Sequence, residues 1–208
     1  MRHVAIALIG IGFGAMVQTQ TPHRSTAEAL SFASAYAGFG LLVAALAVGP
    51  LNLLRGRPNP VSTDLRRDIG IWCALFGVAH TVAGLNVHMH GHMVRYFITS
   101  GNADLGTKAF IAANWLGLLA VLVLLTLLSI SNDFALRALG TRKWKLLQQT
   151  TYVAIAAIVL HGAVYQILEK RRWLLALILS VLALAVGVFQ SAGIRARQSR
   201  NSARAAER

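Results

Sequence analysis

Long apolar runs alternate with short polar segments along this chain, and the charges sit almost wholly in the short segments. Six stretches carry no Lys, Arg, Asp or Glu: 4–21, 29–54, 69–94, 109–131, 146–168 and 173–194. Each approaches or exceeds the roughly 20 residues that a helix needs to cross a bilayer. Backbone polar groups in lipid must be satisfied within the segment, so each stretch predicts an α-helix. A membrane β-barrel would show alternating segments of about 10 residues instead. The pattern therefore predicts an all-α integral membrane bundle of about six transmembrane helices.

The first stretch has a second reading. Met1-Arg2-His3 before an apolar core also has the form of a signal peptide. No clean Ala-x-Ala follows, since the chain continues Gln18-Thr19-Gln20-Thr21-Pro22, which favours a retained helix. The expected organisation is a first helix and outer loop over 1–28, a membrane domain over 29–194, and a basic tail over 195–208. The tail has little to bury and is expected to be a short helix extension that frays.

Composition agrees with a bilayer setting. Hydrophobic residues make up 56% of the 208 residues and charged residues 13%, against roughly 25% charged in an average soluble domain. The net charge of +13 raises the question of nucleic acid. Its confinement to membrane edges, and the lack of any recognised reading module, argue against that partner. The one cysteine, Cys73, lies inside an apolar run and excludes an intramolecular disulfide. No Walker loop and no Gly-x-Gly-x-x-Gly after a strand is present, so no nucleotide domain is seen within this sequence.

Charge also orients the helices. With the N-terminus inside, the inner segments carry 14 Lys and Arg and the outer loops carry 6. This bias places both termini in the cytoplasm of a bacterial inner membrane.

Polar side chains deep in lipid are costly and usually functional. His80 lies 13 residues beyond Arg67, and His161 lies 12 beyond Gln149. At 1.5 Å per residue both sit roughly 20 Å from the basic boundary. Two imidazoles at one level on two helices are what a bis-histidine b-type haem requires. Gly77 and Gly84 flank His80 at i−3 and i+4, and Ala157 and Gly162 flank His161, leaving room for a flat macrocycle. Small residues also mark plain helix contacts, where a His simply bonds across the bundle, so spacing alone leaves both readings open.

Two segments carry a family resemblance. GPLNLLRGRPNPVSTDLRRDIGIWCALFGVAHTVAGL (49–85) has a helix end near a Pro, then an Arg-Arg pair about a dozen residues before a His. LSISNDFALRALGTRKWKLLQQTTYVAIAAIVLHG (128–162) has a Ser-Asn helix end, a Leu-Gly, a Trp before a polar site, and a His on the far side. Together they resemble the ferric reductase-like transmembrane family over roughly residues 29–190. The likeness is to small bacterial members without a flavin domain, such as the haem-bearing membrane subunit of the periplasmic methionine-sulfoxide reductase system. The resemblance implies that His80 and His161 ligate the haem nearer the outer face. The family commonly places another His where this chain has Gln148, and an amide is a poor iron ligand, so one haem is expected rather than two. Arg66 and Arg67 stand where some members contact an inner haem. They could hold a propionate or a lipid phosphate, although marking the inner boundary is their default reading.

One motif lies outside that resemblance. Val87-His88-Met89-His90-Gly91-His92-Met93 alternates imidazole with thioether, a set suited to copper or another transition metal. The plain alternative is a helix end at headgroup level. Tyr152, Tyr165, Trp144, Trp115 and Trp173 are expected as interfacial anchors.

The leading expectation is transmembrane electron transfer through b-type haem, as an oxidoreductase subunit with no catalytic side chain assigned. Electrons would come from a cytoplasmic flavin reductase or from membrane quinol, with a possible flavin or quinone contact. They would leave to a periplasmic reductase or a metal ion. The alternative is a haem-free metal-binding or metal-transport protein that uses His88, His90 and His92. A third reading is a purely structural membrane subunit.

Overall fold

The computed structural model describes residues 1–20, 25–57, 64–87, 92–98, 103–170 and 173–206. Among these it is helical throughout: α1 (Arg2–Gln18), α2 (Thr26–Leu54), α3 (Asp64–Gly84), α4 (Leu105–Ser129), α5 (Asp133–Gln149), α6 (Thr151–Leu168) and α7 (Trp173–Ala206). A short 3-10 turn covers Met93–Tyr96.

Four segments, 26–54, 105–129, 133–168 and 173–202, are each long and apolar enough to cross a membrane. Their outward faces carry exposed leucines and valines such as Leu119, Leu122, Leu160, Leu177, Leu184 and Val188, which suits lipid and not water. The chain is a multi-pass membrane protein. Two of the six expected spans fall short of that standard. α1 has 17 residues, or roughly 26 Å against a hydrocarbon core of about 30 Å. α3 has the length, but its first turns contain Asp64, Arg66, Arg67 and Asp68. Both pack against α2.

Local chemistry sets the helix ends. Ser25, Asp104 and Asn132 each occupy an N-cap, their side chains accepting from the N–H of Glu28, Thr107 and Ala135. Bonds from the Thr107 N–H and hydroxyl hold the Asp104 carboxyl below the usual carboxylate range. The fifth predicted stretch starts inside α5. Thr150 joins α5 to α6 in the right-handed helical region (φ −61°, ψ −13°), so the rod continues through it. The break comes earlier, at Gly140, where φ is 70° and ψ is 157°, a conformation cheap only for glycine.

α2 is the central helix, packed along α1, α3 and α7, while α4 pairs with α6. Small residues permit this closeness. A Cβ at Gly14 would lie 2.6 Å from the Ala33 carbonyl oxygen, so α1 and α2 touch backbone to backbone. Pro50 lies inside α2 and has no N–H to offer the Leu46 carbonyl one turn earlier. Gln190 of α7 supplies the missing donor, its Nε2 donating to Leu46 O at 2.9 Å. Tyr152 of α6 donates in turn to Gln190 Oε1 at 2.9 Å.

Charge pairs gather at one end, here termed the basic end. The Asp68 carboxylate, 7% exposed, lies 3.4 Å from Arg2 Nε and 3.5 Å from His3 Nε2. Arg67 pairs with Asp133 at 2.9 Å and with Asp64 at 3.2 Å. The helix of the last span continues through the basic tail to Ala206. Good helix formers such as Ala, Arg and Gln favour this. Arg200 adds an anchor by donating to the Leu53 carbonyl near the C-terminus of α2 at 2.6 Å.

Candidate functional site

Between the α2–α3 pair and the α4–α6 pair lies a cavity of about 310 Å³, lined on the helices by His80, His161, Gly77, Gly84, Gly117 and Gly162 among others. Apolar surface dominates the walls, and the polar groups converge on a few points. The structure brings His80 of α3 and His161 of α6 together there, with ring centroids 6.0 Å apart and planes inclined at 79°.

Backbone carbonyls fix both rings. His80 Nδ1 lies 2.9 Å from Ser31 O and 3.1 Å from Ser31 Oγ on α2. His161 Nδ1 lies 2.7 Å from Ala113 O on α4. A carbonyl only accepts, so each Nδ1 carries the proton and donates. The basic lone pair therefore resides on Nε2, across the ring from the carbonyl. Metal-bound histidines are characteristically held in this way.

The residues fit a haem in three respects. The donor set is two neutral imidazoles with matched tautomers. The two rings lie close together on facing helices, and their Nε2 atoms would be the ones to hold haem iron. Finally, glycine keeps the space open. A Cβ at Gly117 would meet His161 Nδ1 at 3.0 Å and Cε1 at 3.1 Å, so any side chain there displaces the ring. The wall also holds a buried acceptor, Gln166 Oε1, with no hydrogen-bond partner among the described residues. The amide's other end donates to Tyr36 Oη at 2.8 Å, and Tyr36 donates to Leu175 O at 3.2 Å.

The remaining sequence candidates lie elsewhere. Arg66, Arg67 and Gln148 belong to the basic end, and none of them lines the cavity. Arg67 is engaged with Asp64 and Asp133. Gln148 lies in the last turn of α5, and its backbone carbonyl accepts from Thr151 Oγ1 at 2.7 Å. His92 is exposed before the 3-10 turn. His88 and His90 lie outside the described residues. Among the described residues no group of three or more His, Cys, Asp or Glu is arranged to hold a metal ion.

Several residues of the site were not singled out from sequence. Ser31 and Ala113 act through backbone carbonyls, which leave no trace in residue identity. Gly117, Asn114 and Gln166 left a signal: uncharged polar or glycine positions inside apolar runs. Tyr165 was read as an interfacial anchor, yet its ring lies 4.8 Å from that of His161.

The ferric reductase like transmembrane component family matches residues 34–159, more than half of the chain. His80 falls inside that span and His161 two residues beyond it. The match is narrower than the roughly 29–190 read from the motifs. The chain is also similar to the magnetosome protein MamZ of Magnetospirillum gryphiswaldense, 27% identical over 137 residues. That alignment covers 64% of this chain and 19% of MamZ, so the chain spans about a fifth of that relative's length. No solved structure matches. The chain belongs to the ferric reductase like transmembrane component family, and membership implies transmembrane electron transfer, typically haem-mediated.

Proposed function

We propose that the chain carries electrons across a bacterial inner membrane through one b-type haem, held by His80 and His161. The observation that carries this reading is the pair of imidazoles 6.0 Å apart, each with its Nδ1 committed to a backbone carbonyl. When bound, the haem would supply the one-electron redox chemistry. The protein orients the two ligands, fixes their tautomers and surrounds them with apolar walls that keep water out.

The chemistry of the basic half supports one haem and not two. At the depth of Gln148 the chain presents an amide on α5 and Arg66 and Arg67 on α3, none of them an iron ligand. The excess of Lys and Arg on the loops of that end supports a cytoplasmic orientation. It also suits an electron donor that is acidic or carries phosphate, such as a flavoprotein. Membrane quinol is the other donor class compatible with an embedded chain. The acceptor would lie on the far side, as a periplasmic reductase or a metal ion. The small flavin-free members, including the haem subunit of the methionine-sulfoxide reductase system, are the subgroup this reading favours.

The test is a reduced-minus-oxidised absorption spectrum of the purified protein with a haem-to-protein ratio. Wild type is expected to show a b-type spectrum near one haem per chain, and His80→Ala and His161→Ala are expected to lose it. A colourless wild type, expressed with ample haem, overturns the reading.

A further inference from the structure

Three features near the cavity have no role in the reading above: a buried asparagine, a tyrosine whose ring lies tilted against that of His161, and the segment 92–98 beside the cavity. They form one connected unit. Tyr165 is one helical turn beyond His161, on the same face of α6, with its ring 4.8 Å from the imidazole. Its hydroxyl donates to Asn114 Oδ1 at 2.8 Å. Asn114 Nδ2 donates to the Tyr96 carbonyl at 3.1 Å. Tyr96, 2% exposed, donates its hydroxyl to Gly84 O at 3.1 Å, one turn past His80 on α3. The unit thus brackets both histidine-bearing helices.

Asn114 follows Ala113, whose carbonyl accepts the His161 Nδ1 proton. The peptide that carries this acceptor is therefore held in place by the asparagine side chain next to it. Both ends of that amide are used, although an asparagine buried among apolar helices is costly unless it is fully satisfied. The imidazole is confined from two sides, by the Tyr165 ring and by the backbone at Gly117. A ligand's outer hydrogen bond fixes its orientation and raises its basicity, and a more basic ligand favours the oxidised metal.

We propose that Asn114 and Tyr165 are positioning residues that clip the His161 imidazole to the Ala113 carbonyl and so hold the reduction potential of the bound haem low. This rests on His161 being an axial ligand. The clip acts through the ligand, and neither residue touches the metal.

The experiment uses full-length protein carrying haem: wild type, Tyr165→Phe, Asn114→Ala, the double variant, and Trp115→Phe. Trp115 is the control, because its Nε1 donates to Phe97 O at 3.0 Å in the same segment while its side chain does not line the cavity. Haem stoichiometry, midpoint potential and the low-spin EPR signal are read for each. Tyr165→Phe and Asn114→Ala are expected to keep their haem, to shift the midpoint upward and to broaden the EPR signal. The double variant should shift no further than Asn114→Ala, because the two residues act through one bond. Trp115→Phe should match wild type. Tyr165→Phe is the deciding variant because it removes one oxygen and leaves the packing. A wild-type midpoint in Tyr165→Phe with full haem overturns the clip, as does an equal shift in Trp115→Phe. A wild type without haem overturns the ligand assignment itself and takes the clip with it.

Discussion

Along α3 and α6 the side chains change character at mid-bundle. Towards the basic end, Ile69, Cys73, Ala74, Ala154 and Ile155 interlock with Leu46 and Val186 in a continuous apolar core. Towards the other end, Gly77, His80 and Gly84 face His161, Gly162 and Tyr165 around a cavity. Cys73 and Leu124 belong to both regions and form the floor between them. The same pair of helices is thus solid in one half and hollow in the other. Space in a packed bundle has to be built, because lipid-embedded helices close on one another wherever small residues allow it. Here it is built by glycines opposite histidines whose rings are tied back to neighbouring backbones.

The sharpest way to break this contrast is to fill the hollow. Gly117→Val places methyl groups where a Cβ alone already meets His161 Nδ1 at 3.0 Å. The ring must leave the Ala113 carbonyl, and haem affinity is expected to fall by about tenfold or more. Haem-to-protein ratio and far-UV circular dichroism check this together. Lost haem with retained helicity is the expected outcome. Full haem occupancy in a folded Gly117→Val would mean that the cavity geometry does not control binding.

How much of this contrast was visible before the structure depends on which atoms make it. His80 and His161 stand out because imidazoles inside apolar runs are rare, and counting from the basic boundaries put them at one depth. Gly77, Gly84 and Gly162 follow from their spacing about those histidines. The carbonyls of Ser31 and Ala113 could not be found this way, since every residue has one and only packing selects which is used. Gly117 lies on a helix with no histidine to draw attention to it. The helices α1 and α3 do not follow the uncharged stretches 4–21 and 69–94 residue for residue, because an absence of charge does not mark where a helix starts or stops. α1 ends at Gln18, and α3 runs from Asp64 to Gly84, starting with charged residues and ending ten residues before the uncharged stretch does. Pairing of Asp68 with Arg2 and His3 then lets a buried carboxylate open a helix, which no single segment reveals.

In the solid half the expected effect is on stability alone. Ile155→Ala removes an 8%-exposed side chain from the core and should cost roughly 2 kcal/mol, the low end for such truncations. Denaturant titration should show that loss while the haem ratio and midpoint stay at wild-type values. A change in haem content would mean that the floor does not insulate the two regions. Smaller still is the link between α7 and α2. Gln190→Leu leaves the Leu46 carbonyl without the donor that Pro50 cannot provide. The expected cost is about 1 kcal/mol, because buried polar contacts between membrane helices are worth little more. Gln190→Glu would keep an acceptor for Tyr152 but remove the donor, so a loss as large as that of Gln190→Leu would assign the effect to the Leu46 bond.

The smallest expected effect tests the contrast most directly. Gln148→His supplies the imidazole that the family resemblance leads one to expect at this position and asks whether the basic half can then take a second haem. The expected answer is no. A bis-histidine site needs a second imidazole facing the first, and α3 offers only Arg66 and Arg67 at that depth, with Arg67 already paired to Asp64 and Asp133. The space beyond is taken by Ala154 and Ile155 on α6 and by Ile69 and Cys73 on α3, all of them buried. Gln148→His should therefore leave the haem-to-protein ratio and the single midpoint unchanged. A rise towards two haems per chain, with a second midpoint in the redox titration, would show that the solid half is solid only for want of one ligand. The difference between the two regions would then lie in a side chain and not in the packing.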